Sequence, residues 1–153
     1  MTEVTLALED PATDDVVDLL RASDTFAAAL YPAESNHMLD VDALRRRNVS
    51  FFVARLNERA VGCGALVSEG GYGEIKRMFV SDGARGHGIG ARLLAAMELR
   101  ARQLGLTTLR LETGIAQPAA LGLYRREGYR ETGPFGAYGP DPLSVFMEKT
   151  LAP

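Results

Sequence analysis

The sequence predicts a mixed α/β domain in which helices pack on a central sheet. Three observations point there. Short strand-like runs bounded by turn residues alternate with segments of helical periodicity. One helical segment, residues 88–104, follows a strand through a loop with glycines at 86, 88 and 90. At 153 residues, with no linker, repeat or low-complexity tract, residues 1–153 suit a single domain with one sizeable core.

Residues 4–9, VTLALE, read as the first strand, with Asp10 or Thr13 as the cap of the following helix. In that helix Val16, Val17, Leu19, Leu20, Phe26, Ala27 and Leu30 recur at roughly helical spacing as far as Tyr31-Pro32. Residues 41–48, VDALRRRN, suggest a short second helix whose arginines form a solvated face. VSFFVARL (49–56) and AVGCGALVSE (60–69) flank Asn57-Glu58-Arg59, a hairpin signal. YGEIKRMFV (72–80) is the next strand, reached through Gly70-Gly71.

In the helix at 88–104, Leu94, Met97, Ala101 and Leu104 share one stripe, with Arg92, Arg100 and Arg102 off it. Gly105 ends it, as glycine does at a helix C-terminus. TTLRLET (107–113) is strand-like, and Pro118 suits the first turn of a further helix running to about Glu127. YRETG (129–133) and LSVFMEKTL (143–151) complete the order β-α-α-β-β-β-α-β-α-β-β.

Composition narrows the function classes. Hydrophobic residues at 46% and charged residues at 24% are ordinary for a soluble globular chain. A net charge of −3 argues against a nucleic-acid partner. The single cysteine, Cys63, excludes an internal disulfide framework and suits a reducing compartment. In VGCGA it reads as a small buried hydrophobe rather than a nucleophile. The opening MTEVTLALEDPATDD lacks the basic and apolar regions of a signal peptide, and no apolar run reaches membrane-spanning length. A cytoplasmic protein with no membrane contact is expected. His37 and His87 stand alone and give no metal-site spacing.

The glycine loop carries the functional signal. A plain turn needs one glycine at positive φ, not three. Gly86, Gly88 and Ala91 formally satisfy a dinucleotide-binding G-x-G-x-x-G/A pattern, with Glu112 about 20 residues on. Yet SDGAR separates the strand from the first glycine, and too little chain follows Glu112 for a second nucleotide-binding half. A Walker A loop is excluded because no Gly-Lys-Ser/Thr follows. The remaining reading is an anion nest: successive N–H groups from Arg85 to Ala91 at a helix N-terminus, where dipole and unpaired donors favour phosphate.

Arg85-Gly86-His87-Gly88-Ile89-Gly90 resembles the Q/R-x-x-G-x-G/A signature of the GNAT superfamily, the acyl-CoA-dependent N-acyltransferases. EIKRMFV before it and LRLETG and QPAALGLYRREGY after it resemble the family's neighbouring elements over residues 72–130. The resemblance implies a mixed, mostly antiparallel sheet of about six to seven strands, splayed between the fourth and fifth and flanked by about four helices. It implies that Arg85, Gly86, His87, Gly88, Ile89, Gly90 and Ala91 hold the pyrophosphate of acetyl-CoA. It further implies that the Met78, Phe79 and Val80 backbone pairs with pantetheine and supplies an oxyanion N–H, and that Gln117, where many relatives have asparagine, meets the same arm.

By the same resemblance Tyr124 is the general acid, a phenol on a helix whose start faces the splay. Glu112 and Glu74 both stand where relatives place a base, and either is alternatively a structural ion-pair partner. Glu112 is favoured narrowly, because Glu74 lies about six residues, ~20 Å, from Val80 along an unbulged strand.

The acceptor is read from weaker signals. Lys76 and Arg77 alternate on one strand, so one of them, Arg77, is expected at the acceptor carboxylate, with His37 as a further lining residue. Phe135 and Tyr138 in the 132–142 loop are placed to cap a small molecule. A small amine bearing a carboxylate is the expected partner. Protein N-termini or lysines, and a CoA-binding module without turnover, are the alternatives. A homodimer is compatible with the resemblance.

Overall fold

A computed structural model of the chain describes residues 3–35 and 39–152. They form strands β1 (Val4–Leu8), β2 (Val49–Leu56), β3 (Arg59–Ser68), β4 (Gly73–Val80), β5 (Thr108–Gly114), β6 (Arg130–Thr132) and β7 (Ser144–Thr150). The α-helices among them are α1 (Asp14–Leu30), α2 (Val41–Leu44), α3 (Ile89–Gln103) and α4 (Pro118–Arg126). The sheet runs β1-β2-β3-β4-β5-β7-β6. Only the β4–β5 pair is parallel; every other neighbouring pair is antiparallel.

Alternation along β2 shows how the core divides. Phe52 and Ala54 face α3 and α4, with Leu93, Leu94, Met97, Leu111 and Met147. Phe51 and Val53 face α1 and α2, with Val16, Leu19, Leu20 and Leu44. One twisted sheet thus carries a helical layer on each face.

Several local expectations shift. The second helix ends at Leu44, so Arg45, Arg46 and Arg47 lie in the turn beyond it. On α3 the buried stripe includes Leu93 and Glu98, while Leu104 is 44% exposed past the helix end. Glu98 accepts hydrogen bonds from Tyr129 Oη (3.0 Å) and Lys149 Nζ (3.0 Å), which makes a buried charge tolerable. Thr13 occupies the N-cap position of α1 without a side-chain capping bond; Asp10 instead accepts from the Ala12 N–H.

Two features of β4 shape the cleft at its C-terminal end. First, its parallel pairing with β5 runs from Gly73↔Leu109 to Ile75↔Leu111 and stops. Past that point β4 stays with β3 as far as Val80↔Gly62, and β5 stays with β7 as far as Gly114↔Ser144. The two strands therefore part at their C-terminal ends. Second, Cys63 faces Phe79 and Ala65 faces Lys76, so Gly64 opposes both Arg77 and Met78. This is a β-bulge, with Arg77 in the left-handed region at φ +60°. An added Cβ at Gly64 would meet Met78 Sδ at 2.8 Å, so glycine leaves room for the bulge. The Cys63 thiol donates to the Arg77 carbonyl at 3.2 Å, and burial pushes its pKa up to about 12. It stays a protonated packing group, as its setting in the sequence implied.

Candidate active site

The loop before α3 is assembled from glycines with different tasks. Gly86 and Gly88 have φ of +90° and +67°, and an added Cβ at either would meet nothing within 4 Å. Glycine is needed there for the backbone conformation. Gly90 differs: its Cβ would stand 2.7 Å from Leu123 Cδ2, so its smallness lets α4 approach α3. That packing is a second reason for the glycine cluster, beyond anion access.

Among the described residues, the N–H groups of Gly86, His87 and Gly88 enter no hydrogen bond. Those of Ile89, Gly90 and Ala91 form the first turn of α3, where no preceding turn supplies a carbonyl. Six consecutive N–H groups, 86–91, thus lie without a backbone acceptor at the positive end of a 15-residue helix. Arg85 lies at the rim, paired with Asp82 at 3.2 Å, and His87 is exposed. Ile89 is buried and anchors the helix start.

The parting of β4 and β5 opens a cleft of about 120 Å³. That is below the ~300–1,000 Å³ of a whole ligand site, so it fits the reacting ends of substrates. β4 lines it with Ile75 to Phe79, β5 with Glu112 to Gly114, α4 with Ala120 and Tyr124, and α1 with Ser23, Phe26 and Ala27.

Tyr124, two turns into α4, is 5% exposed and meets Tyr129 edge-on at 6.0 Å. Its hydroxyl makes no hydrogen bond to any described residue. Burial, and then the Glu112 carboxylate, raise its pKa above the usual phenol value, so it keeps its proton at neutral pH. Glu112 lines the same cleft and accepts from Ser144 Oγ at 2.6 Å.

Glu74 sits differently. It is buried, is not among the residues that line the cleft, and accepts from Lys76 Nζ at 3.3 Å and from the Tyr138 hydroxyl. Tyr138 belongs to the β6–β7 connection, where Phe135 packs edge-on against Tyr72 and Phe146 and fixes the loop. Tyr138 does line the cleft, while Phe135 is buried behind it. Burial and the Glu74 hydrogen bond raise the Tyr138 phenol's pKa strongly.

The bulge undoes the simple alternation expected of Lys76 and Arg77. Arg77 turns its guanidinium into α1, 2.7 Å from Asp24 and 3.1 Å from the Leu20 carbonyl, with its side chain 3% exposed. Gln117 lines the cleft and donates to Tyr31 Oη at 3.3 Å. Tyr31 itself, which the sequence offered only as a helix end, lies across Gly114 and accepts from the Ala116 N–H at 3.2 Å. His37 lies outside the described residues. Among the described residues no group of three His, Cys, Asp or Glu side chains is placed to hold a metal, and no helix is long and apolar enough to cross a membrane.

The sequence profile of the Acetyltransferase (GNAT) family matches residues 13–129, which include the loop, the parted strands and α4. The chain belongs to this family. Within it, the chain is 53% identical over 153 residues to IAA acetyltransferase of Azospirillum brasilense, covering 99% of this chain and 100% of the relative. A Klebsiella pneumoniae structure assigned as an acyl-CoA N-acyltransferase superposes with a TM-score of 0.82 at 42% identity, over 97% of this chain and 98% of that one. A GNAT acetyltransferase from Elizabethkingia anophelis, crystallised with acetyl-CoA, shares the fold at 22% identity and a TM-score of 0.70, over 97% and 98% of the two chains. The GNAT fold inferred from the glycine loop, with its splay between the fourth and fifth strands, is the fold observed.

In this GNAT enzyme the Tyr31–Gly114 contact walls one side of the cleft. An added Cβ at Gly114 would overlap the Tyr31 ring and hydroxyl, so Gly114→Ala displaces the whole side chain. Overpacking of this kind costs about 1–3 kcal/mol, which lowers the Tm by ~2–4 °C per kcal/mol. Thermal unfolding checks it: Gly114→Ala falls by that amount and Gly114→Ala/Tyr31→Ala recovers part of it. An unchanged Tm in Gly114→Ala contradicts the contact.

Proposed function

We propose that this N-acetyltransferase moves the acetyl group of acetyl-CoA directly to the primary amine of a small, carboxylate-bearing metabolite. The observation that carries the reading is the pairing of Tyr124 and Glu112 in one cleft where β4 and β5 part. Acetyl-CoA supplies an activated acyl thioester. The fit of this chain to it rests on the six free N–H donors of residues 86–91 and on the β4 edge that β5 leaves unpaired after Ile75. Residues 85–91 would hold the pyrophosphate, Met78, Phe79 and Val80 the pantetheine amides and the thioester oxygen, and Gln117 the same arm. The acetyl-CoA bound by the Elizabethkingia relative supports this assignment.

An alkylammonium of pKa ~10.4 is mostly protonated at neutral pH and cannot attack a thioester. Glu112 takes that proton. The neutral nitrogen then attacks the thioester carbon. As the C–S bond breaks, Tyr124, which still holds its own proton, gives it to the departing sulfur and regains one from the proton the nitrogen sheds on becoming an amide. Glu74, tied to Lys76 and Tyr138, supports the cleft wall. The cation Lys76 among the lining residues favours an acceptor with a carboxylate, while the Arg77 guanidinium is taken by Asp24. The acidic balance of the chain and its single buried thiol suit a cytoplasmic enzyme.

Two measurements test this. Acetyl-CoA and desulfo-CoA at 100 times their Kd raise stability by about 2.7 kcal/mol, seen as a Tm shift, whereas NAD produces none. Gly88→Val abolishes the acetyl-CoA shift, because its Cβ branches occupy the space before α3. That variant also lowers the Tm of the free protein, since valine is strained at positive φ. A shift with NAD alone rejects the assignment. Steady-state CoA release with a panel of amino acids, other small amines, IAA and N-terminal peptides then separates small-molecule acceptors from proteins. Release with peptides alone replaces the small-metabolite reading.

A further inference from the structure

We infer that the acceptor is an amino acid with an aromatic or large apolar side chain, its carboxylate held by Lys76 and its side chain laid against Phe26 and Phe79. The inference rests on the acetyl-transfer reading above and names the acceptor class for the same cleft.

Lys76 is the first β4 residue after the β4–β5 pairing ends, and extending that register sets it beside Glu112. Both line the cleft. An ammonium carries three N–H donors. Lys76 Nζ gives one to Tyr138 Oη at 2.6 Å and one to Glu74 at 3.3 Å. Among the described residues no acceptor takes the third. The side chain is only 12% exposed, so little water reaches that donor, and an unmet buried donor is costly. A carboxylate oxygen entering the cleft would satisfy it through a charge-assisted hydrogen bond. Glu74 and Tyr138 meanwhile hold Nζ in place, and the Tyr138 ring lies beneath it at 5.1 Å. Arg77, the alternative cation, already gives its guanidinium to Asp24 and the Leu20 carbonyl. Lys76 therefore replaces Arg77 as the carboxylate partner.

The opposite wall is apolar. Phe26 is 43% exposed although it lines a concave site, and its ring meets Phe79 at 6.2 Å. Ala27 continues the wall along α1. A large apolar face left open in a cleft is covered by a ligand of the same character. A polyamine or amino sugar would instead call for several carboxylates. Glu112 is the lining carboxylate near the parted strands, and it faces the amine. Amine at Glu112, carboxylate at Lys76 and apolar group at Phe26 together describe an amino acid.

The test measures kcat/KM by CoA release for L-phenylalanine, L-leucine, glycine, L-phenylalaninamide and spermidine. Phenylalanine and leucine exceed glycine by about 10-fold or more. Phenylalanine exceeds its amide by about 10–100-fold, although the amide's amine is the more easily neutral. Lys76→Met alone would strand the Glu74 charge, so the variant is Glu74→Gln/Lys76→Met, which removes both. It brings the acid-to-amide ratio close to 1 while the acetyl-CoA-induced Tm shift persists. Phe26→Ala lowers the phenylalanine-to-glycine ratio towards 1. An acid-to-amide ratio unchanged in the double variant, or release with spermidine and none with amino acids, overturns this inference and leaves acetyl transfer standing. No release with any amine, in a protein that acetyl-CoA stabilises, overturns acetyl transfer itself.

Discussion

Tyr124→Phe lowers kcat by roughly 10²–10⁴-fold, the range for loss of a general acid, with little change in acetyl-CoA affinity. The substitution keeps the ring that packs edge-on against Tyr129 and removes a hydroxyl bonded to no described residue. Stability therefore holds, since no intramolecular hydrogen bond is broken. Loss in kcat and kcat/KM alike marks an interaction made in the transition state. The check is single-turnover kinetics, which isolates chemistry from product release. An unchanged chemical rate removes Tyr124 from the reaction. Burial and the Glu112 charge raise the phenol pKa above its ordinary value near 10. Tyr124 consequently remains protonated up to that pH, and its titration contributes no fall in rate below it.

Glu112→Gln removes most of the activity near neutral pH and regains part of it at high pH. The physical reason is that the amide cannot take a proton, while raising the pH towards ~10 supplies the acceptor amine already neutral. The raised pKa of Tyr124 makes this rescue observable, because the acid is still present when the amine loses its proton. Glu74→Gln behaves differently. Its carboxylate is buried behind Lys76 and Tyr138, so its loss loosens that wall and raises the acceptor KM but keeps the shape of the pH profile. The measurement is log(kcat/KM) against pH for both variants with the true acceptor. Loss with high-pH rescue in Glu74→Gln alone reverses the assignment. If neither variant shows it, the amine is delivered neutral or loses its proton to water.

The two glutamates mark the limit of local sequence patterns. Spacing alone sets Glu74 about six extended residues from Val80 and favours Glu112 only slightly. The distinction that matters comes from pairing. Glu74 stands opposite Arg110 within the paired part of β4 and β5, and Glu112 stands beyond its end. Where a ladder stops depends on residues far apart in the chain, and no local pattern reports it. Arg77 is a similar case. Alternation holds for a regular strand, but an extra residue opposite Gly64 redirects the side chain into α1. The small residues of VGCGA are the available signal, since glycine in a strand often marks a bulge.

Tyr31, Phe26 and Tyr138 are visible in the sequence as residues but not as neighbours. Tyr31 meets Gly114 from 83 positions away, and Tyr138 reaches Lys76 from 62. Such contacts follow from packing α1 and the β6–β7 connection on one end of the sheet. Glu98 on α3 is a further long-range case. It is buried because Tyr129 and Lys149, supplied by the chain after α4 and by β7, satisfy it.

By itself the sequence determined the order of elements, the glycine loop at the start of α3, and Tyr124 on a helix opened by Pro118. Each is set by interactions within a few residues: periodic burial, capping, and the dihedral freedom of Gly86 and Gly88. Tertiary structure alone decided which carboxylate lines the cleft, which cation faces it, and which aromatic rings wall it. Those outcomes depend on strand register, one bulge and helix docking, whose energies are shared among residues distant in sequence.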